Sequence, residues 1–304
     1  MYSVVVPVYN GEKTVQKLYQ TTFSFFKAEK LSFEIIFVHD HGPDNSWAVL
    51  LNIKEQNPKT VKLIKLTRNF GQHNAIICGI EHAKSDFIIT MDEDLQHNPF
   101  DIKKLIQKQS ENDYDVVYGS YETRKHSMVR NIGSSLLKKM IAKGVPDIHP
   151  NYGAFRLIKA EIAKPLVNMQ NSYTFLDGYI SWITTNCSSC TVTHSVRQGG
   201  ESAYDFKKLL NHTINIFVTF SNFPLRLLVK TSVLIFLMNI IINFYILLRK
   251  FLYDDFALGY PSLILAIGFG VALIMLSIGI IGEYLYRINL KTTKKPNYFY
   301  TTKK

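Results

Sequence analysis

Four short apolar runs, Val4 to Val8, Phe33 to Val38, Val61 to Leu66 and Phe87 to Met91, alternate with amphipathic stretches of helical length, Thr14 to Ala28, Asn45 to Gln56 and Gln72 to His82. Three of the runs are rich in β-branched residues. Strand-length apolar runs separated by helix-length amphipathic segments predict a βαβ sheet with helices on both faces. In such sheets ligands collect beyond the carboxyl ends of the strands. Each run leads into polar residues at that end: Tyr9-Asn10-Gly11, His39-Asp40-His41-Gly42, Thr67-Arg68-Asn69, and Asp92-Glu93-Asp94. Four polar strand ends are therefore expected to converge on one crevice.

The last of these ends carries the most specific chemistry. On an extended segment, i and i+2 point the same way, so Asp92 and Asp94 together suit one hard divalent cation while Glu93 faces elsewhere. A cation beside a nucleotide-sized crevice would neutralise a diphosphate and make it a better leaving group. Paired acids also occur in ordinary turns and at helix N-termini, and Pro99 opens a helix-like segment soon after. Asp40 is placed to accept hydrogen bonds from a base or ribose, or else to serve as a turn residue around Gly42-Pro43. Asp44, with Asn45 and Ser46, suits a cap of the next helix.

Further along, Val116 to Gly119 reads as a fifth strand, Ser127 to Lys143 as a basic helix, Tyr152 to Ile158 as extended and Tyr173 to Thr185 as helical. Cys190 to Val196 reads as a strand leading into Arg197-Gln198-Gly199-Gly200-Glu201-Ser202. There, two glycines allow close backbone approach and a guanidinium can grip phosphate oxygens. Arg124, Lys125, Arg130, Lys138 and Lys139 place positive charge after the fifth strand, either to meet an anionic phosphate or as a solvated basic helix. His97, His126 and His149 lack a carboxylate partner at a telling spacing and read as surface or packing residues. Cys187 and Cys190 form a C-x-x-C without the second ligand pair that a structural zinc site needs. No Walker motif, nucleophile elbow or G-x-G-x-x-G follows the first strand, and no nucleic-acid module is visible.

From Tyr204 to about Leu225 the pattern turns amphipathic, with Lys207, Lys208 and Asn211 set against Leu209, Leu210, Ile214, Phe217 and Phe220, which suits an interfacial helix. Thr231 to Leu248 then holds no charged residue over 18 positions, and Phe256 to Gly282 none over 27. Both match a hydrocarbon core of roughly 30 Å. The expectation is a two-helix transmembrane hairpin with spans at about 227–248 and 260–282. Lysines and arginines before the first span and after the second favour an inner-membrane, multi-pass placement with both termini cytoplasmic. The net charge of +11 fits anionic lipid or an anionic substrate.

Taken together, these residues resemble the inverting family 2 glycosyltransferases of the GT-A fold, within them the group of dolichol-phosphate mannose synthases and bacterial polyprenyl-phosphate glucosyltransferases. Val5-Val6-Pro7-Val8-Tyr9-Asn10 is similar to that group's opening strand, Asp40 through Ser46 to its second nucleotide loop, and Arg68-Asn69-Phe70-Gly71-Gln72-His73-Asn74-Ala75 to its third. Asp92-Glu93-Asp94 fits its D-x-D, and Arg197 through Ser202 its donor-phosphate loop. Gly259-Tyr260-Pro261-Ser262 and Ile281-Gly282-Glu283-Tyr284-Leu285 are similar to the membrane segment of the glucosyltransferase branch.

The resemblance implies an α/β fold: a Rossmann-like mixed-sheet GT-A catalytic domain over 1–203, a juxtamembrane amphipathic segment over 204–226, a hairpin over 227–284 and a basic cytoplasmic tail over 285–304. It implies transfer of a sugar from a nucleotide-diphosphate donor, expected to be a UDP-sugar, to polyprenyl phosphate, with inversion. Asp92, Asp94 and Gln96 would hold Mg²⁺ or Mn²⁺. Pro7, Tyr9, Asn10, Val38, Asp40 and Glu93 would line the nucleotide-sugar site with Asp92 and Asp94; Arg197 would grip the donor phosphates, and Arg124, Arg130 and Ser134 would receive the lipid phosphate. A homo-oligomer fits the group.

The chain departs from the family at Gly11, where Glu is usual, at Tyr121, where an Arg is, at Ala154, where an Asp often precedes Phe-Arg, and at Ala203. These departures keep two alternatives open: a transferase acting on another lipid or glycan acceptor, and a catalytically silent nucleotide-binding membrane scaffold.

Overall fold

A computed structural model describes residues 1–121, 147–169, 173–193, 260–292 and 297–303, with Val145 and isolated positions between 214 and 252. The chain divides into two compact units, Met1–Phe220 with Lys295–Lys304, and Ser221–Lys294. The first unit is built on an eight-stranded sheet of β1 (Tyr2–Val8), β2 (Phe33–His39), β3 (Val61–Leu66), β4 (Phe87–Thr90), β5 (Val116–Tyr121), β6 (Arg156–Lys159), β7 (Cys187–Val192) and β8 (Tyr300–Lys303). Its order is β7-β5-β6-β4-β1-β2-β3-β8. The four strands β4-β1-β2-β3 run parallel; β6 opposes both β4 and β5, and β8 opposes β3. This is the mixed Rossmann-like GT-A sheet.

The period of two along β1 explains the two layers. Val4, Val6 and Val8 face Leu18, Phe25 and Phe26 of α1 (Val15–Ala28) and Leu50 and Ile53 of α2 (Ser46–Gln56), whereas Val5 faces α3 (Gln72–His82) with Ile36, Val38 and Ile64. Burial on both faces is why the strands read as nearly unbroken apolar runs. At Gly79 of α3, an added Cβ would lie 2.3 Å from Val5 Cγ1. The helix rides so close to β1 that Gly79→Ala must push it outward. Overpacking of this kind is expected to cost about 1–3 kcal/mol in urea denaturation.

The carboxyl end of α3 is held by charge. Lys164 Nζ donates to the carbonyls of Ile80 (2.8 Å), Glu81 (3.1 Å) and Ala83 (2.6 Å), and Lys62 Nζ donates to His82 O (3.2 Å). Two ammonium groups thus satisfy carbonyls left open at the helix end, where the helix dipole favours cations. Farther along the sheet, Arg156 of β6 is fully buried and paired with Asp177 of α6 (Leu176–Ser181); α4 (Ile102–Asn112) packs in the layer of α1, and α5 (Ala160–Ala163) with α6 in the layer of α3.

The last residues of the chain, taken from sequence as a lysine-rich tail, include β8, which covers the outer edge of β3. Leu66 pairs with Tyr300, Lys65 with Thr302 and Ile64 with Lys303.

The two-span transmembrane hairpin expected over 227–248 and 260–282, and with it the multi-pass inner-membrane placement with both termini cytoplasmic, is corrected. Among the described residues no helix is long and apolar enough to cross a membrane. Most of 227–248, and most of the amphipathic segment before it, lies outside the described residues. Over 260–282 the chain belongs to α7 (Tyr260–Thr292), which continues past Gly282 through Glu283, Arg287 and Lys291. A stretch free of charge in the sequence is therefore not the same object as a helix bounded by that stretch.

Candidate active site

The loops after β1 and β2 are clasped to each other. Glu12 N–H donates to Asp44 Oδ2 (2.8 Å), and Asn45 N–H donates back to Glu12 Oε2 (3.3 Å). Asp44 Oδ1 also accepts the Ser46 hydroxyl (2.6 Å). Burial works against the Asp44 charge, but the Ser46 and Glu12 donors outweigh it and hold its carboxyl below the usual range. Asp44 is thus a tie between two loops as well as a residue ahead of α2. Gly11 has no room for a side chain: a Cβ there would lie 2.9 Å from both Val8 and Val15 and 3.2 Å from Glu93 Cγ. The carboxylate one place later, Glu12, makes the clasp.

His39 closes β2 inside this network, buried, with Nε2 3.1 Å from Ser46 Oγ. Since the Ser46 hydroxyl donates to Asp44, its oxygen accepts from His39, which places the imidazole proton on Nε2. Burial, then the Lys65 charge, pushes the His39 pKa down to about 4. A histidine depressed in the folded state supports stability above its unfolded pKa of about 6.5 and loses that support as pH falls through its folded value. Acidification from about pH 6.5 to 4 is expected to remove about 3 kcal/mol through this group. Thermal melts against pH should show a shallower acid-side decline in His39→Gln than in the parent.

Asp40 follows directly and is also buried. Its two oxygens accept the N–H groups of Phe70 (2.7 Å) and Gly71 (2.9 Å). Burial raises its pKa against the pull of these two donors. Asp40 thus holds the loop between β3 and α3. Gly71 adopts φ +89° with open space where a Cβ would sit, so the loop asks for glycine through its backbone rather than through crowding. At the next position Gln72 opens α3 and donates from Nε2 to Asp92 Oδ1.

The acidic residues sit beyond the end of β4 at Thr90, in a turn completed by Leu95 at φ +62°. Glu93 and Asp94 thus lie in a turn beyond the strand, and the left-handed Leu95 follows them. Asp94 Oδ1 accepts Gln96 N–H (3.0 Å), and Asp92 N–H donates to His97 Nδ1 (3.4 Å). His97 is buried and stacked against Phe155 (5.1 Å) and Tyr121 (5.9 Å). Glu93 turns inward, where its Oε1 accepts Tyr9 N–H (3.3 Å) beside Gly11. Burial, then the Asp92 charge, pushes the Glu93 carboxyl up to about 8.

This donor set fits a hard divalent cation. Asp92, Asp94 and the Gln96 amide occupy one turn, and the Asp92 charge adds to burial in pushing Glu93 upward, a repulsion that a cation would ease. Among the described residues, the group of ligating side chains already within 4.8 Å of one another is a different one, Cys78, Glu81 and His82 on α3. There His82 Nδ1 bonds the Cys78 carbonyl (2.9 Å) and Glu81 accepts the Tyr298 hydroxyl (2.9 Å).

Of the residues singled out from sequence, Tyr9, Asp40, Asp92, Glu93, Asp94 and Gln96 lie on the connected loops, and Pro7 and Val38 are register partners on adjacent central strands. Asn10 takes φ 63° at the end of β1. Arg124, Arg130, Ser134 and Arg197 lie outside the described residues. Sequence reasoning missed Glu12, His39 and Gln72 as parts of the network. Gln72 was the most accessible, since it follows a loop glycine at the first position of a helix aimed at the crevice.

Comparison with known proteins shows the family and the fold. The model of the family described as "Glycosyl transferase family 2" matches residues 3–166. CsbB of Bacillus subtilis (strain 168) is 32% identical over 302 residues, 98% of this chain and 90% of the relative. The undecaprenyl-phosphate 4-deoxy-4-formamido-L-arabinose transferase of Serratia proteamaculans (strain 568) is 30% identical over 98% of this chain and 92% of its own length. The bactoprenol glucosyl transferase of Shigella phage SfX is 27% identical over 99% of each chain. Among solved structures, glucosyl-3-phosphoglycerate synthase from Mycobacterium tuberculosis, in complex with Mn²⁺, UDP-glucose and phosphoglyceric acid, shares the fold with a TM-score of 0.54 at 10% identity, over 72% of this chain and 78% of that one. The chain belongs to glycosyl transferase family 2: it is a GT-A glycosyltransferase related to the bactoprenol and undecaprenyl-phosphate sugar transferases.

Proposed function

We propose that the chain transfers a sugar from a nucleotide-diphosphate sugar, a UDP-sugar in the first instance, to polyprenyl phosphate with inversion at the anomeric carbon. The observation that carries the acceptor is similarity along almost the whole chain to enzymes named for undecaprenyl phosphate and bactoprenol. For the donor, support comes from the hydrogen-bonded ring of loops running from Tyr9 through Glu93, Asp92 and Gln72 to the Asp40-held turn.

In this reading Pro7, Tyr9, Asn10 and Val38 seat the nucleoside with Asp40, which acts largely through the loop it holds, as each of its oxygens already accepts an N–H. Asp92, Asp94 and Gln96 would hold Mg²⁺ or Mn²⁺, which when bound neutralises the diphosphate as it leaves. Arg197 grips the donor phosphates, and Arg124, Arg130 and Ser134 receive the acceptor phosphate. A phosphate oxygen of the lipid attacks the anomeric carbon as the bond to the diphosphate breaks, and the nucleoside diphosphate departs. The acceptor is already ionised at neutral pH, so no base has to take a proton from it. Ala154, where the family resemblance implies an Asp, is therefore compatible with turnover; its carbonyl accepts the Thr90 hydroxyl (2.6 Å).

Purified protein incubated with detergent-dispersed polyprenyl phosphate, Mg²⁺ or Mn²⁺ and a panel of labelled nucleotide sugars is expected to yield lipid-extractable label from at least one donor. Label in another acceptor alone would move the assignment to a different lipid or glycan. Tight nucleotide binding without any turnover would leave a nucleotide-binding scaffold.

A further inference from the structure

The chain leaves the first unit after Phe220 and returns at Lys295, and the returning segment does more than cover an edge. β8 extends the ladder past β3, because Thr67 N–H donates to Phe299 O (2.9 Å) just before the loop that Asp40 holds. The same segment is fixed to the carboxyl end of α3, the helix that begins directly after that loop. The Tyr298 hydroxyl donates to Glu81 Oε2 (2.9 Å), the Tyr300 ring meets the His82 ring edge-on at 5.2 Å, and Asn297 Nδ2 donates to Met169 O (2.7 Å). β3 and α3 flank the Arg68–Gly71 loop, so residues 297–303 grip both of its supports.

We propose that this C-terminal strand is a positioning strap for the donor site, holding β3 and α3 so that Phe70 and Gly71 present their N–H groups to Asp40 and Gln72 reaches Asp92. A strand that only shielded an exposed edge would bond β3 and stop there. Here the attachments continue onto α3 through Tyr298 and Tyr300, and the tie at Thr67 lies at the mouth of the loop. Releasing the strap frees the loop locally while the central strands stay formed, since stability differs between segments. The consequence for donor binding rests on the donor site proposed above.

The test uses the full chain with Thr302→Pro, which removes an N–H from the β8 segment, and Tyr298→Phe, which deletes only the bond to Glu81. Amide exchange in nucleotide-free protein is expected to rise about tenfold at Phe70 and Gly71 in Thr302→Pro while β1 and β2 keep their protection. UDP with Mn²⁺ should bind about fivefold more weakly, with Tyr298→Phe shifting both readouts the same way by less. Unchanged exchange at Phe70 and Gly71 although the β8 amides themselves have opened would overturn the strap. Should Thr302→Pro fail to fold, Tyr298→Phe decides alone: equal exchange at the loop in variant and parent counts against the proposal. Failure of the parent protein to bind UDP or any other nucleoside diphosphate is a separate result, which counts against the donor site and leaves the exchange comparison to judge the strap.

Discussion

Asp94→Asn is expected to lower turnover by roughly two to three orders of magnitude with little change in folding stability. The separation of the two effects follows from the turn. Asp94 Oδ1 accepts Gln96 N–H at 3.0 Å, and an asparagine Oδ1 can accept the same bond, so the backbone reversal at Leu95 is kept. What disappears is one negative charge in a turn where Asp92 and Glu93 remain. An amide in place of Asp94 lacks the charge attraction that a carboxylate offers a hard cation, and leaves Asp92 as the remaining charged ligand of the proposed set. Steady-state transfer measured at several Mn²⁺ concentrations, alongside a urea melt, reads both quantities. Full turnover at saturating metal would remove Asp94 from the proposed ligands, whereas a large loss of stability would make the substitution a folding defect.

The largest stability effect is expected at the pair between Arg156 and Asp177. Arg156 is 1% exposed and Asp177 3%, and the Arg156 Nε has no hydrogen-bond partner, so the guanidinium depends on its contact with Asp177. Asp177→Leu strands a buried cation and should cost about 3–5 kcal/mol. Replacing both members by apolar residues removes the desolvation penalty together with the attraction, so Arg156→Met with Asp177→Leu should recover most of that loss. A double-mutant cycle from urea denaturation checks this. Equal destabilisation by the single and the double replacement would mean that the cost comes from lost packing rather than from an uncompensated charge. Burial and the Asp177 charge also hold the neighbouring Tyr118 hydroxyl protonated far above its ordinary range.

Much of the parallel half of the sheet could be read from residues alone, because β1 to β4 are buried on both faces and leave apolar runs of strand length. The later strands were blurred. β7 begins at Cys187 rather than Cys190, and β6 starts only at Arg156, four residues into the stretch that reads as extended, and ends at Lys159, one residue past it. The polar Cys187-Ser188-Ser189-Cys190 carries no apolar alternation, since that strand is pinned by its partner β5. β8 was hidden for the same reason: Tyr300-Thr301-Thr302-Lys303 becomes a strand only against β3, distant in sequence, and its lysines suggest a tail. The crevice was legible as a set of polar strand ends, but not the connections within it. Nothing local indicates that Leu95 takes a left-handed turn or that Asp40 spends its oxygens on Phe70 and Gly71. Over 260–282 the expectation rests on the absence of charge, which says nothing of where a helix starts or ends, and the helix there runs on to Thr292.

The central claim is that the acidic turn and the Asp40-held loop form one donor site, and cation-dependent nucleotide binding tests it most directly. Titrating UDP, and then other nucleoside diphosphates, into the parent protein and into Asp94→Asn, each with and without Mn²⁺, should show the cation tightening binding at least about tenfold in the parent and hardly at all in the variant. Nucleotide affinity that ignores the cation in the parent, or responds to it equally in both proteins, would contradict the account.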